Sequence, residues 1–383
     1  MGPGAYVDPN PDYWDDYTNL QHTKHTLVRE YLNGWFPKLG FWAGRIVYID
    51  THAGRGRHET GDLGSPLVAL TTFLSHSSRD SILDHSDIQF IFIERDEENA
   101  AALQDELAAL EEQLRALGKR RSKVAFEVYP GDCEQVLEKA LDYLRSRRQR
   151  TAPSFIFVDP YGFKVSCALL RDLMTFERVE LFVNVMWRHF YMGMCRAQTQ
   201  KGWDETVAWI LDDTDWQHQI ACEDFDECAS RTLDFIQRKL GAKWQTPVRM
   251  LGANNATEYL LVHFTNHGEG RDLMKEVGWK VCPAYDGSFV ARKSDSPDQM
   301  GLGFPPEPDR RRVTDWVVSN LRDHPMRWKE LLDRARSTNW LDKHVNAVVR
   351  DLRKSGMIQP RDFAPPFQPA RNPLLSLSDE DID

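Results

Sequence analysis

Apolar residues at Leu27, Val28, Tyr31, Leu32, Trp35 and Leu39 recur at the three- and four-residue intervals that give a helix one buried face, so a helix is predicted from Thr23. Past it the pattern changes to short apolar runs separated by helical stretches. Arg45–Asp50 (RIVYID) reads as a buried strand, and so do 88–94, 123–129, 155–158 and 181–185. Between them, Leu103, Leu107, Leu110, Leu114 and Leu117 predict one helix, too short for a coiled coil and therefore packed on a sheet, and 134–149 predicts another. Residues 188–250, rich in Trp, Cys and acidic groups, read as a helical insertion. A strand at 259–265, a helix at 270–277 and a last strand near 288–292 resume the alternation. Strand and helix repeated this regularly imply an α/β fold with a mainly parallel sheet covered on both faces.

The flanking segments divide the 383-residue chain further. Residues 1–22 are polar, rich in Pro and Asp, and read as an N-terminal arm; 23–293 form the α/β domain. Residues 294–309 carry four prolines without periodicity and mark a linker. Residues 310–362 hold three short amphipathic patterns built on Val313, Trp316, Val317 and Leu321, then Trp328, Leu331, Leu332 and Ala335, then Leu341, Val345, Val348 and Leu352. Gly356 stops the third and Met357 with Ile358 starts a strand, a set that implies a winged-helix module. Residues 363–383 read as a disordered tail.

The net charge of −10 argues against a nucleic-acid partner only if charge is evenly spread, and it is not. Residues 1–303 carry 34 Lys or Arg against 45 Asp or Glu, whereas 304–362 carry 13 against 9 and the remaining tail 1 against 4. A locally basic module therefore follows an acidic domain, and contact with nucleic acid is expected after residue 309. Six cysteines without a Cys-x-x-Cys pair predict neither a disulfide framework nor a zinc site. With no basic stretch leading into an apolar run at the start, and no run of ~18 apolar residues, the expectation is a cytoplasmic protein away from membranes.

Ligands of an open parallel sheet bind beyond the carboxyl ends of its strands, near the point where strand order reverses. The first strand leads into Asp50-Thr51-His52-Ala53-Gly54-Arg55-Gly56 and then Gly64-Ser65-Pro66. The glycines allow sharp turns and close backbone approach. Ser65 reads as an N-cap with Pro66 at the first helical position. Glu59 replaces the third glycine of a dinucleotide fingerprint, which disfavours a nicotinamide-dependent oxidoreductase. Glu94, at the end of the second strand, is placed to accept hydrogen bonds from both ribose hydroxyls of an adenosine. Asp132, after the third strand, is placed to accept from the adenine amino group. Asp50, Ala53, Gly54, Gly56, Ser65, Glu94 and Asp132 are the cofactor candidates. Lys24, in the first turn of the N-terminal helix, joins them as a residue able to close the pocket, with a solvated first turn as the alternative.

The fourth strand ends in Asp159-Pro160-Tyr161-Gly162, the most specific chemical signal in the chain. A carboxylate and a neighbouring carbonyl together accept both protons of an exocyclic NH₂ and leave its lone pair facing an electrophilic methyl group. The aromatic ring offers a stacking surface for a flipped-out base. Asp159, Pro160 and Tyr161 are the catalytic candidates; a plain β-turn is the alternative reading.

These motifs carry a resemblance. Tyr48-Ile49-Asp50-Thr51-x-Ala53-Gly54-x-Gly56, Gly64-Ser65-Pro66, Phe92-Ile93-Glu94 and Asp159-Pro160-Tyr161-Gly162, followed by an apolar strand with Asn184, are similar to the three-Cys-motif partner protein family (TcmP). The likeness extends through 260–274 and the C-terminal module. It implies a Rossmann-like class I S-adenosylmethionine-dependent methyltransferase domain, a C-terminal winged helix, and a partner protein that carries the three cysteines. Asp159-Pro160-Tyr161-Gly162 also resembles the Asp/Asn-Pro-Pro-Tyr and Asp-Pro-Phe-Gly motifs of enzymes that methylate nucleobase amino groups in DNA or RNA, departing from the first in having Tyr161 at the second proline.

Further candidates follow the fifth strand and the linker. Trp187 reads as a stacking wall or as core, and Arg188 lies beside it. Lys343, Asn346, Arg350, Arg353 and Lys354, with His344, lie on or near the third helix of the basic module, where a winged helix enters the major groove or meets a protein partner. His52 and His58 lack a second ligand cluster, so no metal is expected. Cys222 and Cys228 read as separate thiols. A non-catalytic adaptor built on a methyltransferase scaffold is the competing function.

Overall fold

The computed structural model describes residues 17–147, 150–160, 165–220, 222–294, 307–362 and 371–378. They fall into two compact units, one of Met1–Leu273 with Ala291–Asp298 and one of Met274–Val290 with Gln299–Asp383.

The first unit opens with α1 (Asn19–Gly40), four residues before the periodicity predicts. Thr18 and Gln21 explain the earlier start: the Gln21 N–H donates to the Thr18 hydroxyl at 3.3 Å, and the Thr18 N–H donates to Gln21 Oε1 at 2.8 Å. There follow β1 (Arg45–Asp50), α2 (Ser65–Leu74), α3 (Arg79–His85), β2 (Asp87–Glu94), α4 (Glu97–Ala109), α5 (Glu111–Arg115), β3 (Val124–Pro130), α6 (Cys133–Ser146), β4 (Ser154–Val158), α7 (Cys167–Met174) and β5 (Val179–Val185). Then come α8 (Trp187–Ala197), α9 (Lys201–Leu211), α10 (Trp216–Gln219), α11 (Phe225–Leu240), β6 (Trp244–Leu251), β7 (Thr257–Thr265), α12 (Gly268–Val281), which passes into the second unit at Met274, and β8 (Val290–Arg292).

The strands form one sheet in the order β3-β2-β1-β4-β5-β7-β6-β8. β3, β2, β1, β4 and β5 are parallel, while β7 runs antiparallel to both β5 and β6. The mixed α/β fold with a parallel-rich sheet is therefore as expected, and strand order reverses between β1 and β4.

Alternation along the strands sorts the core onto two faces. On one, Tyr31 of α1 stacks on Phe155 at 4.9 Å, Phe155 on Tyr48 at 6.2 Å, and Phe36 meets Phe73 at 5.1 Å. On the other, Ile93, Val158, Val183 and Val185 pack with Leu137, Leu170, Trp187 and Ile236 of the covering helices.

Several expectations change. The leucine stripe is two helices, α4 and α5, followed by a 3-10 turn, with Leu110 at the break. The helical insertion ends at Leu240: Trp244–Leu251 is β6, its Thr246, Val248 and Met250 buried at alternate positions and Pro247 opposite Val262. Cys222 and Cys228 are bonded to each other, because the loop before α11 brings their Cα atoms to 5.4 Å.

The second unit holds α13 (Arg310–Asp323), β9 (Met326–Arg327), α14 (Trp328–Ala335), α15 (Asp342–Lys354), β10 (Ile358–Arg361) and β11 (Leu374–Leu377). The three strands pair antiparallel in the order β10-β11-β9. β11 lies in the segment expected to be disordered. Burial of Leu375 and Leu377 and pairing with strands on both sides account for its order. The unit also takes Met274–Val290, before the boundary expected at 293. Trp279 stacks on Trp340 at 6.1 Å and donates from Nε1 to the Asn339 carbonyl at 2.7 Å. Lys275 Nζ, buried, donates to the Arg336 and Ala335 carbonyls at 3.0 and 3.3 Å, where the C-terminal end of α14 favours a cation. The expected arm, 1–22, and linker, 294–309, fall largely outside the described residues.

Candidate functional site

Four strands of the first unit end on one pattern: Tyr48-Ile49-Asp50, Phe92-Ile93-Glu94, Phe157-Val158-Asp159 and Phe182-Val183-Asn184. Successive side chains of a strand alternate between faces, so each aliphatic residue joins the opposite core and each polar residue returns to the aromatic, α1-covered face. Asp50, Glu94, Asp159 and Asn184 therefore line one side of the sheet at its carboxyl end, above an aromatic floor and beside the reversal between β1 and β4.

The loop after β1 is tied to β2 and β4. The Ala53 N–H donates to the Ile93 carbonyl at 2.9 Å, and that of Thr51 to the Phe157 carbonyl at 3.0 Å. The Gly54 N–H reaches Glu94 Oε2 at 2.6 Å, and the Asp96 N–H reaches Oε1 at 2.8 Å. Gly54 and Gly56 have φ of 63° and 88°, the left-handed region that glycine enters freely. The Gly64 N–H donates to the Gly56 carbonyl at 2.7 Å, and a Cβ on Gly64 would sit 3.0 Å from that oxygen. Burial holds the Glu94 carboxyl above its ordinary pKa, against the backbone N–H groups of Asp96, Gly54 and Arg95.

Ser65 is not the helix cap expected of it. Gly64 takes the N-cap position of α2 without a side-chain bond, and the Ser65 hydroxyl is hydrogen-bonded to the Asp50 carboxylate. Asp50 is fully buried. Burial pushes its pKa up to about 7, against the Ser65 hydroxyl and the His52 N–H at 3.2 Å; the Asp159 charge adds to the rise and Lys24 opposes it. His52 hydrogen-bonds the Thr51 hydroxyl at 2.8 Å and lies 3.6 Å from Cys133 Sγ. Burial lowers its pKa to about 4, so the ring is neutral at physiological pH.

Asp132 caps α6, its Oδ1 accepting from the Glu134 and Gln135 N–H groups at 3.1 and 3.4 Å. Gly131, at φ 145°, donates its N–H to the Glu94 carbonyl at 2.8 Å and so joins the ends of β2 and β3.

At the end of β4, Lys24 of α1 forms an ion pair with Asp159 Oδ2, the two side chains only 5% and 13% exposed. Asn184 Nδ2 donates to Asp159 Oδ1 at 2.6 Å. Lys24, read from the sequence as a cofactor contact, is thus directed at the predicted catalytic acid. Pro160 is buried, and Tyr161 lies outside the described residues. Asn184 is the site residue that sequence reasoning left unassigned, and its position two residues after Phe182 repeats the signal that picked out the three acids.

Trp187 is not a stacking wall. It is fully buried against Phe225 at 5.6 Å, Tyr191 at 5.7 Å and Phe190 at 6.3 Å, because α8 turns its first residue inward; Arg188 is exposed. In the second unit, the spacing of Lys343, Asn346, Arg350, Arg353 and Lys354 puts all five on one face of α15. Lys343, Arg350 and Lys354 are exposed, Asn346 and Arg353 half-buried, and His344 is buried 4.8 Å from Trp279. Among the described residues no group of three His, Cys, Asp or Glu has the geometry to hold a metal, and no helix is long and apolar enough to cross a membrane.

No family model and no curated protein matches the chain. Among solved structures it is similar to Trm1 from Pyrococcus horikoshii in complex with S-adenosyl-L-methionine, at 12% identity over 98% of this chain and 95% of that one, with a TM-score of 0.35. It is also similar to PKMT2 from Rickettsia typhi, at 8% identity over 89% and 74% with a TM-score of 0.30. A conserved hypothetical protein of Streptococcus pyogenes matches at 15% identity over 40% and 75%, with a TM-score of 0.23.

Proposed function

We propose that the first unit is an S-adenosylmethionine-dependent methyltransferase acting on an exocyclic amine of a nucleobase in DNA or RNA. The observation that carries this reading is the convergence, across the β1/β4 reversal, of Glu94 bonded to the Gly54 loop and Asp159 held at the end of β4.

The residues present suit the cofactor. Glu94 accepts backbone N–H groups on both oxygens, which fixes the carboxylate at the strand end where a ribose hydroxyl would meet it. Gly54 and Gly56 place backbone without side chains at the strand end, and the free Oδ2 of Asp132 faces the role of adenine acceptor. When bound, S-adenosylmethionine would supply an electrophilic methyl group, with its sulfur as the leaving group. Asp159, with the Pro160 carbonyl, holds the amine by its protons so that the lone pair is aimed. Tyr161 stacks on the base. Fixing the reacting groups in line accounts for about 7–11 kcal/mol of such barriers.

The second unit, three helices and a three-stranded antiparallel sheet, is a winged helix in this reading. Its α15 face of Lys343, Asn346, Arg350, Arg353 and Lys354 meets nucleic acid. A partner bearing the three-cysteine motif completes the system, located in the cytoplasm. A non-catalytic adaptor is the second reading, favoured by one observation: both oxygens of Asp159 already have protein partners.

One experiment separates them. Calorimetry with adenosylmethionine and adenosylhomocysteine is followed by transfer of labelled methyl to bulk RNA and DNA. Binding with transfer that Asp159→Ala abolishes supports the enzyme; full transfer by Asp159→Ala removes that role, and binding without transfer to either polymer supports the adaptor.

A further inference from the structure

We propose that Lys24 and Asn184 are positioning residues that clamp Asp159 from two sides, Lys24 by an ion pair to one oxygen and Asn184 by a hydrogen bond to the other; this rests on the methyltransferase reading.

The clamp is built from three elements far apart in the chain. Lys24 comes from α1, 135 residues before Asp159, and Asn184 from β5, 25 residues after it. Lys24 holds Oδ2 and Asn184 Nδ2 holds Oδ1, so the carboxylate plane cannot turn without losing one partner. Each oxygen retains a lone pair for the acceptor amine.

The orientation of the Asn184 amide follows from chemistry, since a carboxylate offers acceptors only and requires the NH₂ end. That choice leaves Asn184 Oδ1 buried with no hydrogen-bond partner. An apolar residue would fill this position, above Phe182 on an aromatic face, without an unpaired acceptor. An amide there serves packing poorly and Asp159 well.

Lys24 has the corresponding electrostatic part. The groups that face Asp159 are Tyr48 and Asp50 from β1, His52 from the following loop, Asn184 from β5 and Lys24 from α1. His52 is neutral, and the raised Asp50 carboxyl keeps its proton below about pH 7, so neither supplies a cation to Asp159. Lys24 is the cation of the set.

The test uses the full chain and two readouts. Methyl transfer at saturating adenosylmethionine separates kcat from the acceptor KM, and calorimetry with adenosylhomocysteine reads the cofactor pocket without turnover. Lys24→Gln and Asn184→Ala should each lower kcat at least tenfold, with acceptor KM and adenosylhomocysteine affinity within about threefold. Lys24→Arg, which restores the cation, should recover most of the Lys24→Gln loss. Asn184→Asp keeps the shape but has no N–H to donate, and it should lose as much as Asn184→Ala; this pair serves if Lys24→Gln does not fold. Unchanged kcat in both Lys24→Gln and Asn184→Ala, in a chain whose wild type transfers methyl, overturns the clamp. A wild-type chain that transfers no methyl to either polymer sinks the methyltransferase reading instead.

Discussion

The Gly54 amide donates a 2.6 Å hydrogen bond to Glu94 Oε2, joining the glycine loop after β1 to the end of β2. One carboxylate thus ties the glycine loop after β1 to the turn after β2 through backbone N–H groups. Glu94→Gln should weaken adenosylhomocysteine binding by about 10–150-fold, the range of a charge-assisted hydrogen bond, with a smaller loss in melting temperature. Calorimetry and a thermal melt on the same sample read both. Unchanged affinity would remove Glu94 from the cofactor site.

Asp50 makes stability depend on pH. Its folded pKa of about 7 stands above the ordinary 3.8, so the folded chain keeps a proton that the unfolded chain gives up. The resulting stability is complete below about pH 4 and is lost as pH rises through 7, by on the order of 4 kcal/mol. Asp50→Asn should therefore gain stability over the parent at pH 8 and little at pH 5. Urea denaturation at the two pH values measures it, and an equal effect at both excludes a protonated Asp50.

Beneath the site, Tyr31 of α1 and His263 of β7 both hydrogen-bond Glu180 of β5, the His263 distance being 2.9 Å, and all three are buried. Burial alone would raise the Glu180 pKa, but its bonds to His263 and Tyr31 bring it below its usual 4.5. A lowered carboxyl stabilises the fold above pH 4.5, and that contribution disappears as acid protonates it. Glu180→Ala should cost about 3–5 kcal/mol at pH 7, as loss of one member of a buried polar set does, and should flatten the acid limb of stability. Denaturant midpoints from pH 3 to 7 follow both effects.

The α15 face predicts the salt dependence of any nucleic-acid binding. Lys343→Ala, Arg350→Ala and Lys354→Ala should each lower the slope of log K against log salt by about 1, uniformly across sequences, if each meets a phosphate. Fluorescence anisotropy in two salts measures it. Slopes that do not change would direct this face to a protein.

Cys222 and Cys228 set a redox expectation. In denaturant without reductant, four thiols should react with a chromogenic disulfide reagent, from Cys133, Cys167, Cys195 and Cys282. Prior reduction should expose all six. Six reactive thiols in both samples would mean that the bond does not form in the purified protein.

The strand ends were legible because their chemistry is local. An aromatic, an aliphatic and an acid in succession carry the alternation, the burial and the polar terminus, as at Phe92-Ile93-Glu94 and Phe157-Val158-Asp159. β6 and β11 were not legible, because a strand holding Pro247 and a strand of four residues owe their form to partners elsewhere in the chain. Trp187 reads alike as core or as stacking surface until the turn of α8 is known.

The amino-acid order by itself determined the parallel-rich sheet, the strand ends and the acids Asp50, Glu94 and Asp159, since periodicity and terminal residues act over a few positions. Only the tertiary structure decided what those acids touch. Lys24 reaches Asp159 because α1 lies across the sheet, Asn184 because β5 adjoins β4, and Ser65 turns to Asp50 because Gly64 caps α2. Contacts across many residues of sequence depend on how the layers pack, and side-chain spacing along the chain carries no record of that packing.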